Sequence, residues 1–194
     1  SDLRVNGDSV TAYQLYPTVA MDRSGNATVV WWDYLNIYAQ RLDATGTRLW
    51  PTDLRVNSDN RKAYQISPAI AGDGDGNAFV VWLGSDSEIY MQRLDAMGTR
   101  LWPPDLRINS DSRTIDHDVP VVAVNRSGNA CVVWRDDRNN NGDIYAQRIN
   151  QDGGSIWPAD LQVVYPDMFY FPTGIAESRS VDTLAINLTQ ATLT

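Results

Sequence analysis

The sequence predicts an all-β fold, a β-propeller built from four-stranded blades, on three observations. A unit recurs along the chain: counted between the DLR or DLQ triplets at Asp2, Asp53, Asp105 and Asp160, the spacings are 51, 52 and 55 residues. Each unit holds four short segments rich in β-branched and aromatic residues, without helical periodicity. Glycine-containing turns separate these segments. Four antiparallel strands in a repeat of this length are typical of a propeller blade.

The four strands of a unit can be recognised in all three copies. The first follows a proline (Pro17, Pro68 or Pro120), the second ends at a tryptophan (Trp31, Trp82 or Trp134), the third reads IYAQRL, IYMQRL or IYAQRI, and the fourth reads DLRVN, DLRIN or, in the last copy, DLQVV. DRSGN, DGDGN and NRSGN join the first two strands, with a glycine that supplies the positive φ of a tight hairpin. This predicts complete blades over about residues 17–57, 68–109 and 120–164.

The two ends of the chain carry incomplete units within a predicted single domain, residues 1–194. Residues 1–6 read as an orphan fourth strand, and residues 172–194 read as a partial fourth blade. In the preferred arrangement, the N-terminal strand closes that blade and makes a four-bladed ring. In the alternative, it completes the blade of a neighbouring molecule, since an unpaired strand edge attracts partners.

The repeated pattern P-x-[VI]-A-x(5)-GNAxVVW, followed by IYxQRL and LWP, resembles the propeller-type repeats of secreted bacterial surface proteins. The resemblance covers about residues 1–164. It implies a secreted or cell-surface location and a binding role, generally without catalysis. The start at Ser1 rather than methionine fits a processed secreted protein or an excised segment.

Bulk composition excludes several classes of function. The formal charge of −8 argues against nucleic acid as a partner, because no basic stripe is available to neutralise phosphates. The longest apolar runs are too short to span a bilayer. Cys131 is the single cysteine, so no intrachain disulfide can form.

The candidate binding residues lie on the face whose loops differ between copies. The first-to-second and third-to-fourth turns are nearly uniform, whereas the second-to-third loops and the blade-joining segments are diverse, and loops on a rigid scaffold commonly carry binding. Trp32, Asp33 and Tyr34 combine aromatic rings with a carboxylate, as a sugar site requires. Arg135, Asp136 and Asp137 begin the longest of these loops. The ligand is predicted to be a surface glycan or a protein.

Further candidates concern assembly and metal binding. The orphan strand (Leu3, Val5) and the apolar run Met168, Phe169, Tyr170 and Phe171 are candidate assembly residues, with a homo-polymer as the product. No cofactor is predicted; Asp73 and Asp75 are weak calcium candidates, because their turn supplies hard oxygen ligands.

The sequence argues for a non-enzymatic extracellular binding or adhesion module. No catalytic motif occurs, and His117, the only histidine, stands where the other copies have Gln14 and Gln65. The alternative is a structural subunit of a filament or surface layer, joined by strand exchange. A propeller glycoside hydrolase is the minor alternative, which would need two carboxylates across a cleft.

Overall fold

The all-β prediction is confirmed by the structure, a computed structural model. It describes residues 2–7, 13–58, 64–111, 117–140 and 142–163, and the backbone of 170–177 and 184–190. Its strands are β1 (Leu15–Met21), β2 (Ala27–Trp32), β3 (Ile37–Leu42), β4 (Leu54–Arg55), β5 (Gln65–Gly72), β6 (Ala78–Gly84), β7 (Ile89–Leu94), β8 (Leu106–Arg107), β9 (His117–Val124), β10 (Ala130–Asp136), β11 (Asp143–Ile149), β12 (Leu161–Gln162), β13 (Tyr170–Glu177) and β14 (Leu184–Gln190). Over the described residues, no helix is long and apolar enough to cross a membrane.

These strands form three four-stranded antiparallel sheets and one hairpin. The sheets run β1–β4 (blade 1), β5–β8 (blade 2) and β9–β12 (blade 3), each in chain order, and β13 pairs with β14. The first strands adjoin one another, because β5 packs against both β1 and β9, and β13 packs against β9. Successive blades therefore place their first strands side by side, as in a propeller.

A bulge interrupts each first strand at the residue before its proline. Tyr16, Ser67 and Val119 have φ values of 51°, 53° and 47°, which non-glycine residues rarely adopt. The pairing register shifts at the same place in all three blades. Since proline cannot donate to the ladder, the bulge accommodates it and redirects the residues that precede it. Those residues, His117 and Asp118 in blade 3, lie at the end of the strand where the loops vary.

The hydrophobic core lies between the blades, and the repeated tryptophans build it. Trp82 and Trp134 are fully buried within the second strands. Trp50 donates from its indole Nε1 to the Ala96 carbonyl of the next blade at 3.1 Å, and Trp102 donates to the Gln151 carbonyl at 3.3 Å. The recurring tryptophans are therefore structural, as expected for side chains that every blade retains.

A polar scaffold repeats with the same spacing. Asp53 accepts from the Gly7 backbone N–H at 2.8 Å, and Asp105 accepts from the Ser58 N–H at 2.6 Å. Residues 2–7 thus lie against blade 1 as the end of blade 1 lies against blade 2. Residues 2–7 have no strand pairing with the described residues of this chain, so their role as a fourth strand stays a prediction.

Closure into a ring is not found among the described residues. The hairpin β13–β14 is a sheet of two strands, and no described residue of the N-terminal segment pairs with it. Leu3 is exposed and touches the turn at Gly46, where an added Cβ would meet its Cδ2 at 2.9 Å. Val5 is half-buried. Met168 and Phe169 lie outside the described residues, and Tyr170 and Phe171 begin β13.

Candidate functional site

The loop face carries two groups of side chains that depart from the repeat. This face is formed by the ends of the second strands, the starts of the first strands and the loops between the second and third strands. Most of each blade-joining segment (8–12, 59–63 and 112–116) lies outside the described residues. The described part shows an aromatic group on blade 1 and a polar cluster on blade 3.

The aromatic group, here named the aromatic platform, consists of Tyr13, Tyr16, Trp32, Tyr34 and Tyr64. Trp32 is central: its ring centroid lies 5.2 Å from that of Tyr34, with planes 10° apart, and 5.9 Å from that of Tyr16. Tyr13 and Tyr64 flank Tyr34 at 6.4 and 6.1 Å. These separations are those of stacked and edge-to-face aromatic pairs.

The tyrosines of the platform are exposed, whereas its tryptophan is not. Tyr13, Tyr16, Tyr34 and Tyr64 are 72%, 61%, 50% and 54% exposed, while Trp32 is 9% exposed. The expectation that Trp32 itself offers a ring face is therefore corrected: Trp32 supports the platform from below, since Tyr16 and Tyr34 stack on it. Tyr34 has φ 86°, a strained conformation that turns its ring over Trp32. Exposed stacked rings can bind the apolar face of a sugar.

Asp33 is tied to its own loop. Its Oδ1 accepts from the backbone N–H groups of Leu35 at 3.0 Å and Asn36 at 2.7 Å. The residue predicted as a hydroxyl acceptor thus spends one oxygen on holding the loop that presents Tyr34. The structure places the Trp32 and Tyr34 rings in contact, and Tyr13, Tyr16 and Tyr64 join them without having been predicted from the sequence. A count of tyrosines at the starts of the first strands would have pointed to them.

The second group, named the acid–histidine cluster, comprises Asp111, His117, Asp136, Arg138 and Asp160. His117 begins β9 and pairs across the sheet with Asp136 at the end of β10. His117 Nε2 lies 3.1 Å from Asp136 Oδ2 and 3.3 Å from Asp111 Oδ1. The other ring nitrogen, Nδ1, forms a hydrogen bond with the Ser87 carbonyl of blade 2. The side chains of His117 and Asp136 have no solvent exposure.

Arg138 binds the carboxylates of this cluster together. Its Nη2 lies 2.5 Å from Asp136 Oδ2 and 2.9 Å from Asp160 Oδ2, and its Nε donates to Asp136 Oδ1 at 2.9 Å. Its guanidinium carbon lies 3.8 Å from the centroid of the Tyr145 ring, a cation–π contact. Trp134 donates from Nε1 to Asp136 Oδ2 at 3.0 Å.

The pKa shifts follow from these contacts. Burial by itself would raise the pKa of Asp136, but the contacts with His117, Arg138 and Trp134 hold it well below its usual range. Burial opposes protonation of His117, yet Asp136, the Ser87 carbonyl and Asp111 together raise its pKa. The pKa of Arg138 is also raised, since its contacts with Asp136 and Asp160 outweigh burial.

The cluster is an addition to the repeat. The residues of blade 2 that match His117 and Asp136 are Gln65 and Gly84, and there Gln65 accepts the tryptophan N–H of Trp82 at 2.7 Å. Blade 3 therefore replaces an amide–indole contact with ionisable groups. The sequence signal was the departure of His117 from the glutamine of the other copies. The sequence did not link His117 to its partners, because the acids that contact it come from β10 and from a blade-joining segment.

The remaining predicted site residues have other roles. Arg135 pairs with Asp137 at 2.8 Å, so these two stay near the surface, whereas Asp136 points inward to the cluster. Asp73 accepts from the backbone of Asp75 and from Asn77 within its turn. Asp75 pairs with Arg23. Calcium binding by Asp73 and Asp75 stays a prediction, and both carboxylates have protein partners.

Comparison with known proteins shows the fold. No family model and no curated protein matches the chain. Among solved structures, it is similar to an α-L-arabinanase of Penicillium chrysogenum complexed with arabinobiose (TM-score 0.58, 15% identity, 95% of this chain covered). It is also similar to the NanB sialidase of Streptococcus pneumoniae (0.58, 13%, 91%) and to a GH43 endo-arabinanase of Bacillus licheniformis (0.51, 16%, 92%). The chain spans 64%, 27% and 69% of those three proteins, respectively.

These similarities correct the functional expectation. The prediction of a non-enzymatic binding or adhesion module, with a filament subunit as its alternative, is contradicted, because the structural neighbours named above are glycoside hydrolases. The absence of a catalytic motif misled the sequence reasoning. Glycoside hydrolysis requires a pair of carboxyl groups at a suitable separation in space, and no short sequence motif records that separation.

Proposed function

We propose that this chain is a glycan-hydrolysing β-propeller unit that binds its sugar substrate on the aromatic platform. The observation that carries the proposal is the exposure of four stacked or flanking tyrosines around one buried tryptophan on the loop face. A fold similar to arabinanases and a sialidase supports the same substrate class.

The platform suits a sugar better than a protein partner. Tyrosine presents a flat apolar ring for the C–H face of a pyranose or furanose and a hydroxyl for its polar edge. The rings are pre-ordered by Trp32, so little conformational entropy is lost on binding. The Asp33 loop and the positive φ at Tyr34 fix the position of the exposed ring.

Two carboxylates of the adjacent blade are proposed as the reacting groups. Gly84 pairs with Gln65, the residue after Tyr64, and Asp86 and Glu88 follow in the same loop. Asp86 is exposed and accepts from the Tyr90 hydroxyl at 2.9 Å. Glu88 is half-buried and pairs with Arg107 at 2.9 Å. Glycoside hydrolysis commonly uses two carboxyl groups, one as acid and one as base or nucleophile.

We propose that the protein acts outside the cell. Polymeric glycans do not cross membranes, so an enzyme for them is secreted or held at the cell surface. The resemblance of the repeat to secreted bacterial surface proteins supports this location and stays a prediction. Fractionation of a producing culture, followed by immunoblotting of medium, surface and cytoplasm, tests it directly.

The experiment is a hydrolysis assay on the purified chain with arabinan and sialylated oligosaccharides. Tyr34→Ala and Tyr64→Ala should each raise KM about two- to tenfold, the loss of about 0.5–1.5 kcal/mol of stacking. Asp86→Asn and Glu88→Gln should lower kcat by about a hundredfold or more with little change in KM. Met97→Ala, which removes an exposed apolar side chain from the opposite face, is the control.

The outcomes separate binding from catalysis. Sugar binding that Tyr34→Ala weakens, with no hydrolysis of any substrate, would refute the enzymatic part. Hydrolysis unaffected by Asp86→Asn and Glu88→Gln would refute the assignment of these carboxylates. Equal KM for wild type, Tyr34→Ala and Tyr64→Ala would refute the platform as the substrate site.

A further inference from the structure

We propose that Asp111, His117 and Asp136 form a site for a divalent transition metal, with zinc as the best fit. The site goes beyond the proposed hydrolysis, because none of its ligands belongs to the platform or is Asp86 or Glu88. It adjoins the loop of those two residues, since Ser87 contacts His117 and Asn109 contacts both Glu88 and Asp111. The three residues bring one ligand atom each to within 4.8 Å of one another. They are the group among the described residues that meets this condition.

The surroundings of His117 determine which ring nitrogen carries its proton. Its Nδ1 faces the carbonyl oxygen of Ser87, so Nδ1 carries the proton. In the neutral ring, Nε2 presents a lone pair toward two carboxylate oxygens, at 3.1 and 3.3 Å, in a fully buried position. Nε2 has no hydrogen-bond partner of suitable geometry among the residues that the structure describes. Arg138 compensates part of the carboxylate charge, and the acceptors that still face one another require either a proton on Nε2 or a metal ion between them.

The distances between the proposed ligand atoms suit zinc. Zinc binds nitrogen and carboxylate oxygen at about 2.0–2.2 Å, and tetrahedral coordination then separates neighbouring ligand atoms by about 3.3–3.6 Å. The separations from Nε2, 3.1 Å to Asp136 and 3.3 Å to Asp111, are close to that edge. Three protein ligands leave a fourth position for water or an exogenous ligand. Asp111 is the least buried of the three residues and provides the route of entry.

Neighbouring groups hold the proposed ligands in position. Metal-binding histidine almost always donates its other N–H to a carbonyl or carboxylate, and ligating carboxylates are themselves hydrogen-bonded. Here Ser87 receives Nδ1–H, and Trp134 and Arg138 bind Asp136. Asn109 donates from its side-chain Nδ2 to Asp111 Oδ1 at 2.6 Å. Each proposed ligand is therefore oriented by a second contact.

The net charge of the cluster also favours a divalent cation. Asp111, Asp136 and Asp160 contribute three negative charges to the cluster, and Arg138 contributes one positive charge. Protonated His117 would leave a net charge of −1 in a buried place, whereas neutral His117 with a divalent cation leaves none. Buried charge is tolerated only when it is compensated. Blade 2 has Gln65 and Gly84 at the matching positions and needs no cation there.

The test titrates the chelator-treated protein with zinc chloride alone, by calorimetry, and follows the imidazole by ¹⁵N NMR. His117 is the only histidine, so its ring signals need no assignment. Wild type should bind zinc in a 1:1 ratio, with a shift of the Nε2 resonance and release of any proton held there. Asp111→Asn, at the least buried position, and His117→Gln, which restores the residue of blade 2, should each weaken binding about a hundredfold or more. Asp75→Asn should bind like wild type.

Two results would overturn the proposal. A doubly protonated His117 that does not respond to excess zinc would show an ion-pair cluster without metal. Preference for calcium over zinc would show that the cluster is not a transition-metal site. Equal zinc affinity in wild type and His117→Gln would show that zinc binds elsewhere. Circular dichroism of each variant establishes that loss of binding is not loss of folding, and Asp111→Asn remains informative if His117→Gln does not fold.

Discussion

Two arginines that join blade 1 to blade 2 differ in burial and offer a direct test of the interblade scaffold. Arg41 pairs with Asp22, and the two side chains are 5% and 8% exposed. Arg41 also donates from Nη1 to the Thr28 hydroxyl at 3.1 Å and to the Gly76 carbonyl of blade 2 at 2.9 Å. Arg23 pairs with Asp75 of blade 2, but these side chains are 54% and 63% exposed.

The expected magnitudes follow from that difference. Arg41→Met leaves Asp22 buried without its charge partner and the Gly76 carbonyl without its donor, so the free energy of unfolding should fall by about 3–5 kcal/mol. Arg23→Met removes a solvent-exposed pair and should cost about 0–1 kcal/mol. The double variant Asp22→Asn with Arg41→Met removes both charges and should recover part of the loss.

The pH dependence of stability provides an independent readout. Burial would raise the pKa of Asp22, but hydrogen bonds from Asn26 and Ser24 and the charge of Arg41 hold it below its usual value. A carboxylate with a lowered folded pKa stabilises the fold above its unfolded pKa and loses this contribution as pH falls through the folded value. Wild type should therefore lose stability below about pH 4, and Arg41→Met should show a smaller loss over the same range.

Urea unfolding of the three variants and wild type at pH 7 and pH 3 measures these quantities. The m-value must stay constant for the comparison to hold, since a changed m-value indicates a changed unfolding transition. Equal destabilisation by Arg41→Met and Arg23→Met would refute the reasoning, because burial would then not determine the strength of the two pairs. A pH profile unchanged by Arg41→Met would show that Arg41 does not lower the pKa of Asp22.

Three further predictions concern buried or constrained positions. Burial raises the pKa of the Cys131 thiol from 9.0 to about 11. A thiol reagent at pH 8 should therefore label it only as fast as the protein unfolds, and rapid labelling of the native protein would contradict this. The stability that the buried neutral thiol contributes should be lost as the pH rises from 9 to 11. Gln92→Leu should lower the free energy of unfolding by about 2–4 kcal/mol in urea unfolding, because Gln92 is fully buried and bonds both the N–H and the carbonyl of Trp102; a loss like that of a surface substitution would exclude the role. Gly98→Ala should lower the free energy of unfolding by about 1–2 kcal/mol, since φ is 83° and the new Cβ would lie 3.1 Å from the Trp50 ring. Gly154→Ala should lower it less, because Gly154 has no positive φ. Thermal melts that rank the two variants in the opposite order would refute the explanation by backbone strain.

The strands and turns were predictable because their determinants are local. Short runs of β-branched and aromatic residues, as in ATVVWW and IYAQRL, form the strands, and glycine at a positive φ sets the hairpin, as at Gly25 and Gly76. Repetition then identified Trp82 and Trp134 as core residues, since every blade needs the same packing. The fourth strands were predicted longer than they are: β4, β8 and β12 have two residues each, because the chain then leaves the sheet to bind the next blade through Asp105 and Asp160.

The candidate sites were only partly predictable, and Tyr34 and His117 show why. Trp32 and Tyr34 are near neighbours in sequence, so their combination was visible. Tyr13 reaches Tyr34 through the pairing of β1 with β2, whereas Tyr64 precedes β5 and reaches Tyr34 only because blade 2 packs beside blade 1. His117 meets Asp136 through a strand register that a bulge shifts, and no local rule predicts that shift.

By itself, the sequence determined an all-β repeat, the order of its strands, the structural role of its tryptophans and the face on which the copies differ. Strand propensity and turn geometry depend on a few neighbouring residues, so they can be recognised from a single sequence. The tertiary structure alone decided which departures from the repeat meet: four tyrosines around Trp32, and Asp111 and Asp136 around His117. These groups combine residues from neighbouring strands and blades, and the burial that orients and charges them exists only once the blades pack.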